Sequence, residues 1–138
     1  MSRIIALDYG LKRTGIAVSD INSTFAFPLT TVSTSELLDF ISEYVEKEEV
    51  KCFVIGLPLH ADDTPAAIEP HIKGFIKKLS KAYPHISIER YDERYTSKLA
   101  FQSMIDGNLP QKKRRNKELL DKISATIILQ NYLECSTK

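Results

Sequence analysis

The apolar run Ile4-Ile5-Ala6-Leu7 ends in Asp8, a polar stretch punctuated by Gly10 follows, and Gly15-Ile16-Ala17-Val18 resumes the run. Two apolar runs joined this way predict a β-hairpin with an acid at the end of its first strand. Gly10 and Gly15 permit either positive φ or close approach of another backbone or a phosphate. Residues 24–32 are rich in β-formers but are split by Pro28, which predicts a third strand at a sheet edge or with a bulge. Ser33 and Glu36 form a capping-box pattern, and Leu37, Leu38, Ile41, Tyr44 and Val45 recur at helical spacing to about residue 47. The nearly unbroken apolar run 51–56 predicts a strand covered on both faces, in the middle of a sheet.

Glycine and prolines make 56–65 a loop, followed by a helix from about Pro70. Its stripe is Ile72, Phe75, Ile76, Leu79 and Tyr83, and it ends before Pro84. Residues 86–91 read as a fifth strand running into Asp92-Glu93-Arg94. Thr96 can cap a helix to Gly107, 108–116 is a cationic linker, and 117–134 is a long last helix. In that helix Ala125, Ile128 and Tyr132 fall within about 40° of Asp121, so the carboxylate shares a face with apolar residues. An acid in a first turn is also favoured by the helix dipole, so Asp121 has a structural reading beside a chemical one. Three closely connected strands, then helix, strand, helix, strand and two helices, predict an α/β chain with a five-stranded mixed sheet flanked by helices.

Composition narrows this picture in a few respects. The chain has 138 residues, 43% of them hydrophobic, which fits one domain over 1–138 with a real core. Its net charge of +1 gives no global affinity for polyanions, so any such affinity must be local. Cys52 and Cys135 show no metal-ligand spacing and read as free thiols. The start lacks a signal-peptide pattern and no run reaches 18 apolar residues, so a soluble, cytoplasmic protein without membrane contact is expected.

Candidate chemistry lies in the acids. Asp8 and Glu93 sit at strand ends and Asp121 on the last helix, and three oxygen ligands of this kind suit Mg²⁺ or Mn²⁺, hard cations that also bind phosphate oxygens. Phosphodiester hydrolysis is the reaction implied. Lys12 and Arg13 in the hairpin turn, Arg94 beside Glu93, and Lys112, Lys113, Arg114, Arg115 and Lys117 are candidate phosphate contacts. The last five lead into the helix bearing Asp121, where cations oppose the helix dipole. Tyr9, Tyr91 and Tyr95 flank the acids, either to stack on bases or to pack in the core.

Four stretches, 5–20, Gly56-Leu57-Pro58, 92–97 and 121–133, resemble in order the motifs of the YqgF (RuvX) family of Holliday junction resolvases and pre-16S rRNA nucleases. The resemblance covers essentially the whole chain. It implies an RNase H-like fold and catalytic, metal-holding roles for Asp8, Glu93 and Asp121. It also implies hydrolysis with two ions about 3.5–4 Å apart, Asp8 bridging them. Where the family usually has Asn and Gly after Gly56-Leu57-Pro58, this chain has His60, Ala61, Asp62 and Asp63.

Two rival readings stand beside this one. The hairpin also resembles the phosphate-binding hairpin of actin-like ATPases, but those folds need two such halves and the chain supplies one. A non-catalytic nucleic-acid-binding factor in ribosome maturation would keep the cations and make the three acids dispensable. No residue is tied to a 2′-hydroxyl, so precursor rRNA and branched DNA are both open as substrates. Monomer and homodimer are equally open, although symmetric cleavage of a junction would favour a dimer.

Overall fold

A computed structural model describes residues 2–59, 64, 66–92 and 117–136, with backbone only at 117 and 136. The predicted helix 96–107, the linker 108–116 and loop positions 60–63 lie outside the described residues. Five strands, β1 (Arg3–Tyr9), β2 (Arg13–Ser19), β3 (Ala26–Ser33), β4 (Val50–Leu57) and β5 (Ser87–Asp92), form one sheet in the order β3-β2-β1-β4-β5. β1–β2 and β2–β3 pair antiparallel, β1–β4 and β4–β5 parallel. This is the expected mixed sheet, with the 51–56 run one strand in from an edge. Short turns suffice for the antiparallel pairs, whereas each parallel pair needs a crossover. The β1-to-β4 connection contains α1 (Leu37–Lys47), and the β4-to-β5 connection contains α2 (Glu69–Ala82).

Strand alternation gives the sheet two apolar faces. Ile5, Leu7, Ile16, Val18, Phe53 and Ile55 cluster with Leu37 and Ile41 of α1 and Ile72, Phe75 and Leu79 of α2. The opposite set, Ile4, Ala6, Ala17, Cys52 and Val54, packs against Ala125, Ile128, Leu129 and Leu133 of α3 (Lys117–Ser136). Each fully buried aliphatic side chain contributes roughly 1.5–3 kcal/mol, so both faces are needed to hold the layers together. The α3 face is lined by small residues, Ala6 and Ala17 opposite Ala125, which lets the helix lie close to the strands.

β3 is an edge strand, and its pairing skips Leu29: Ile16 is opposite Thr30 and Ala17 opposite Pro28. The bulge expected from Pro28 is therefore present. The capping box is not. Ser33 makes no side-chain cap bond, and a 3-10 turn at Thr34–Glu36 precedes α1. Ser33 is instead the last residue of β3, paired opposite Arg13, and the next residue is tied to the hairpin turn: the Thr34 N–H donates to the Lys12 carbonyl (2.9 Å) and its hydroxyl to the Gly10 carbonyl (2.7 Å). The entry to α1 is tied to the hairpin turn rather than to its own first turn.

Candidate active site

Asp8 belongs to the same strand face as Ile4 and Ala6, the face that α3 covers, and it lies opposite Gly15 in the β1–β2 register. Gly15 in turn lies opposite Thr31 of β3. The first turns of α3 run over this row. The Thr31 hydroxyl donates to the Glu118 carbonyl (2.5 Å), and further along the Ala26 N–H donates to the Gln130 side-chain oxygen (3.0 Å). Gly15 meets the helix directly. A Cβ at that position would overlap the Asp121 carbonyl and stand 2.8 Å from the Lys122 nitrogen.

No described glycine has positive φ, so Gly15 acts here through close approach and not through a left-handed turn. Gly10 is similar, because a Cβ there would run into the Arg13 carbonyl across the tight turn. Thr14, fully buried, places its hydroxyl 3.0 Å from that of Thr34, which donates to Gly10. Hydroxyl bonds and missing Cβ atoms thus fix the turn that follows Asp8.

Asp121 is half-buried on α3 and accepts a hydrogen bond from Arg13 Nε on its Oδ2 at 2.9 Å. Arg13 shares a strand face with Gly15 and Ala17, so the pair closes over the same end of the sheet as Asp8. Of the expected site residues, the structure therefore brings Asp8, Arg13 and Asp121 to one face, with Lys12 exposed in the turn. Glu93, Arg94, Lys112, Lys113, Arg114 and Arg115 lie outside the described residues, as does the side chain of Lys117. Among the described residues no three acidic, histidine or cysteine side chains form a metal cluster. The chemistry of the donors nonetheless suits a hard cation, because the two described acids, Asp8 and Asp121, both offer carboxylate oxygens on the α3 side of the sheet.

Tyr9 turns to the other face, with its ring centroid 5.3 Å from that of Phe75 in α2. It packs, partly buried, against the core, which fits the packing alternative for this tyrosine. Tyr91 packs at the edge of the α3 cluster, its hydroxyl 3.5 Å from Cys135 Sγ; that bond and burial raise its pKa. Both described cysteines are free thiols, and burial raises the pKa of Cys52.

One pair near the site had no signal in the sequence. Glu69, 4% exposed at the start of α2, receives Arg90 bidentately, Nη2 to Oε1 at 2.6 Å and Nη1 to Oε2 at 3.0 Å. Arg90 also donates to the carbonyls of Gly56 (3.0 Å) and Ile55 (3.3 Å). It ties the end of β4 to β5 and to α2. A glutamate before a proline reads as an ordinary helix start, and its strand partner lies 21 residues away.

Comparison with known proteins adds to this geometry. Residues 2–135 match the family model described as RuvX, Holliday junction resolvase. A protein of Christiangramia forsetii named "Putative pre-16S rRNA nuclease" is 54% identical over 133 residues, covering 96% of this chain and 98% of its own. Proteins of the same name from Bacteroides fragilis and Flavobacterium johnsoniae are 52% and 47% identical, over 97% and 96% of this chain and the same shares of theirs. Among solved structures, Thermus thermophilus RuvC in complex with a Holliday junction substrate superposes with a TM-score of 0.62 at 13% identity, covering 99% of this chain and 96% of that one. The sheet and helices described above are thus an RNase H-like fold.

Proposed function

Since the chain belongs to the RuvX family, we propose that it is a metal-dependent endonuclease that hydrolyses phosphodiester bonds in structured nucleic acid. Processing of the 5′ end of precursor 16S rRNA and resolution of four-way DNA junctions are its two candidate tasks. The observation that supports the reading is that the backbone of Asp121 lies against Gly15, the cross-strand neighbour of Asp8. We read residues 1–138 as one nuclease domain working in the cytoplasm, where free Cys52 and Cys135 would stay reduced.

In this reading Asp8, Asp121 and Glu93, which follows the last residue of β5, hold Mg²⁺ or Mn²⁺. Such an ion, when bound, makes water a better nucleophile at neutral pH and stabilises charge developing on the phosphoryl oxygens. The chain's own groups do the rest. The close contact at Gly15 holds Asp121 at a fixed height over Asp8, which limits the geometry the carboxylates can adopt. Arg13 neutralises Asp121 before substrate arrives and is then free to meet a phosphate, a role its planar, bidentate donors suit. Lys12, Arg94, Lys112, Lys113, Arg114, Arg115 and Lys117 grip the backbone on either side, fixing register without reading sequence.

A non-catalytic binding role draws on one observation, that Asp121 already has Arg13 as a counter-ion. Side-by-side Mn²⁺-dependent cleavage of precursor rRNA and a four-way junction separates the two readings. Asp8→Asn, Glu93→Gln and Asp121→Asn should each abolish the cut while leaving the circular dichroism spectrum unchanged. Turnover close to wild type in all three variants would overturn the assignment.

A further inference from the structure

α2 carries charge of one sign on its outer side. Lys73, Lys77, Lys78 and Lys81 are exposed, and the helix's one acid, Glu69, is buried against Arg90. Lys73, Lys77 and Lys81 follow one another at four-residue spacing and so form a row, each step rising about 6 Å along the axis. That step is comparable to the distance between neighbouring phosphates of a nucleic-acid strand. Lys78 and His71 lie to one side of the row and border a groove of about 460 Å³ between α2 and the entry to α1.

The groove reaches Tyr9, the residue after Asp8, and its opposite wall is Thr34 and Ser35. Gly74 opens it, since a Cβ there would meet nothing within 4 Å. None of the described residues lining it is acidic. Three acids nearby lie elsewhere: Glu36 of the 3-10 turn and Asp39 and Glu43 of α1 border a separate hollow with Val32 of β3. A strand leaving the Asp8 end of the sheet therefore has a path across hydroxyls and cations that avoids the acidic side.

We propose that the lysine row of α2 and the adjoining groove form a second binding surface for the phosphate backbone of the nucleic acid whose cleavage is assigned to the Asp8 edge. This rests on the nuclease reading above. A second copy of the chain, offering its acidic α1 to these lysines, is the competing occupant. The groove's reach to Tyr9, the chain neighbour of Asp8, together with its lack of acidic lining among the described residues, favours a polyanion.

The test is fluorescence anisotropy with a labelled RNA hairpin and a labelled four-way DNA junction, in EDTA so that no cleavage intervenes, at several salt concentrations. The triple variant Lys73→Gln/Lys77→Gln/Lys81→Gln should bind at least tenfold more weakly near physiological salt. Its plot of log affinity against log salt should flatten by roughly 0.7–0.9 per lost phosphate contact. Gly74→Glu, which places an acid in open space, should weaken binding as well, whereas Gly74→Ala should not. Equal affinity and slope for wild type and triple variant, or no binding by wild type, would overturn the surface; the nuclease reading is decided separately by the Mn²⁺-dependent cleavage assay. A salt-sensitive wild-type dimer in sedimentation, lost in the triple variant while nucleic-acid affinity is kept, would assign the lysines to self-association instead.

Discussion

Gly15 of β2 and Asp121 of α3 touch backbone to backbone, with no room between them for a methyl group. The contact sets how far the helix-borne carboxylate stands from Asp8, the cross-strand neighbour of Gly15. Gly15→Ala must push α3 away or bend β2, a backbone clash that no flexible side chain can absorb. Overpacking of this kind costs about 1–3 kcal/mol. A lower urea midpoint with an unchanged m-value would report it, and Mn²⁺ affinity should fall more than stability does. An unaltered midpoint would show that the helix is not seated as tightly as described.

Arg13 and Asp121 form a part-buried pair, with side chains 35% and 25% exposed. At that exposure solvent screens much of the attraction, so Arg13→Gln should lower stability in EDTA by no more than about 1 kcal/mol. Under the proposed metal role of Asp121, Arg13 would compete with the cation for the carboxylate. The variant should therefore bind Mn²⁺ more tightly by calorimetry and gain more in melting temperature from it. Saturation at 100 times the dissociation constant adds about 2.7 kcal/mol. Weaker Mn²⁺ binding by the variant would contradict the competition.

Glu69→Gln would leave Arg90 with its charge largely buried and half its bidentate bond gone. Removing one member of a buried pair costs about 3 kcal/mol, much of it the penalty on the charge left behind. Replacing both, as Glu69→Leu/Arg90→Met, should recover a good part of that loss. A double-mutant cycle by urea denaturation measures the coupling, and strictly additive losses would contradict a buried bond.

Asp20 sits in the turn between β2 and β3, and its Oδ1 accepts the N–H groups of Phe25 (2.8 Å) and Thr24 (2.7 Å). The Phe25 bond is the main cause of its lowered pKa, from an ordinary value of 3.8. A carboxylate with a depressed folded-state pKa contributes stability above its unfolded pKa, and the contribution is lost as pH falls through the folded value. Wild type should accordingly lose stability below about pH 4 more steeply than Asp20→Asn, which keeps an acceptor but does not titrate. Parallel curves of unfolding free energy against pH would remove Asp20 from the account.

Most of the architecture was legible because its signals are local. Apolar runs and their interruptions gave all five strands to within two residues, and Pro28 gave the bulge at Leu29. The acid-bearing ends of β1 and α3 were readable as motifs. The capping box at Ser33 and Glu36 is absent where Ser33 ends β3 opposite Arg13, a cross-strand partner 20 positions earlier that no local pattern reveals. Gly15 was legible as a special position but not as a contact, since its neighbour is defined only once α3 lies across β2. The Glu69–Arg90 pair left no trace, because neither periodicity nor spacing encodes which buried acid will meet which strand residue.

The order of the elements also has a temporal side. Arg13 and Asp121 are 108 positions apart, which at ribosomal rates of 5–20 residues per second separates their synthesis by roughly 5–20 s. During that interval the hairpin with Asp8 has left the ribosome while Ala6 and Ala17 still lack the helix that covers them. A nascent chain in this state has an uncovered apolar sheet face and an incomplete set of acids. The last helix therefore closes the core and, under the proposed assignment, also completes the site, so a product truncated before it would lack Asp121 together with the cover over Ala6 and Ala17.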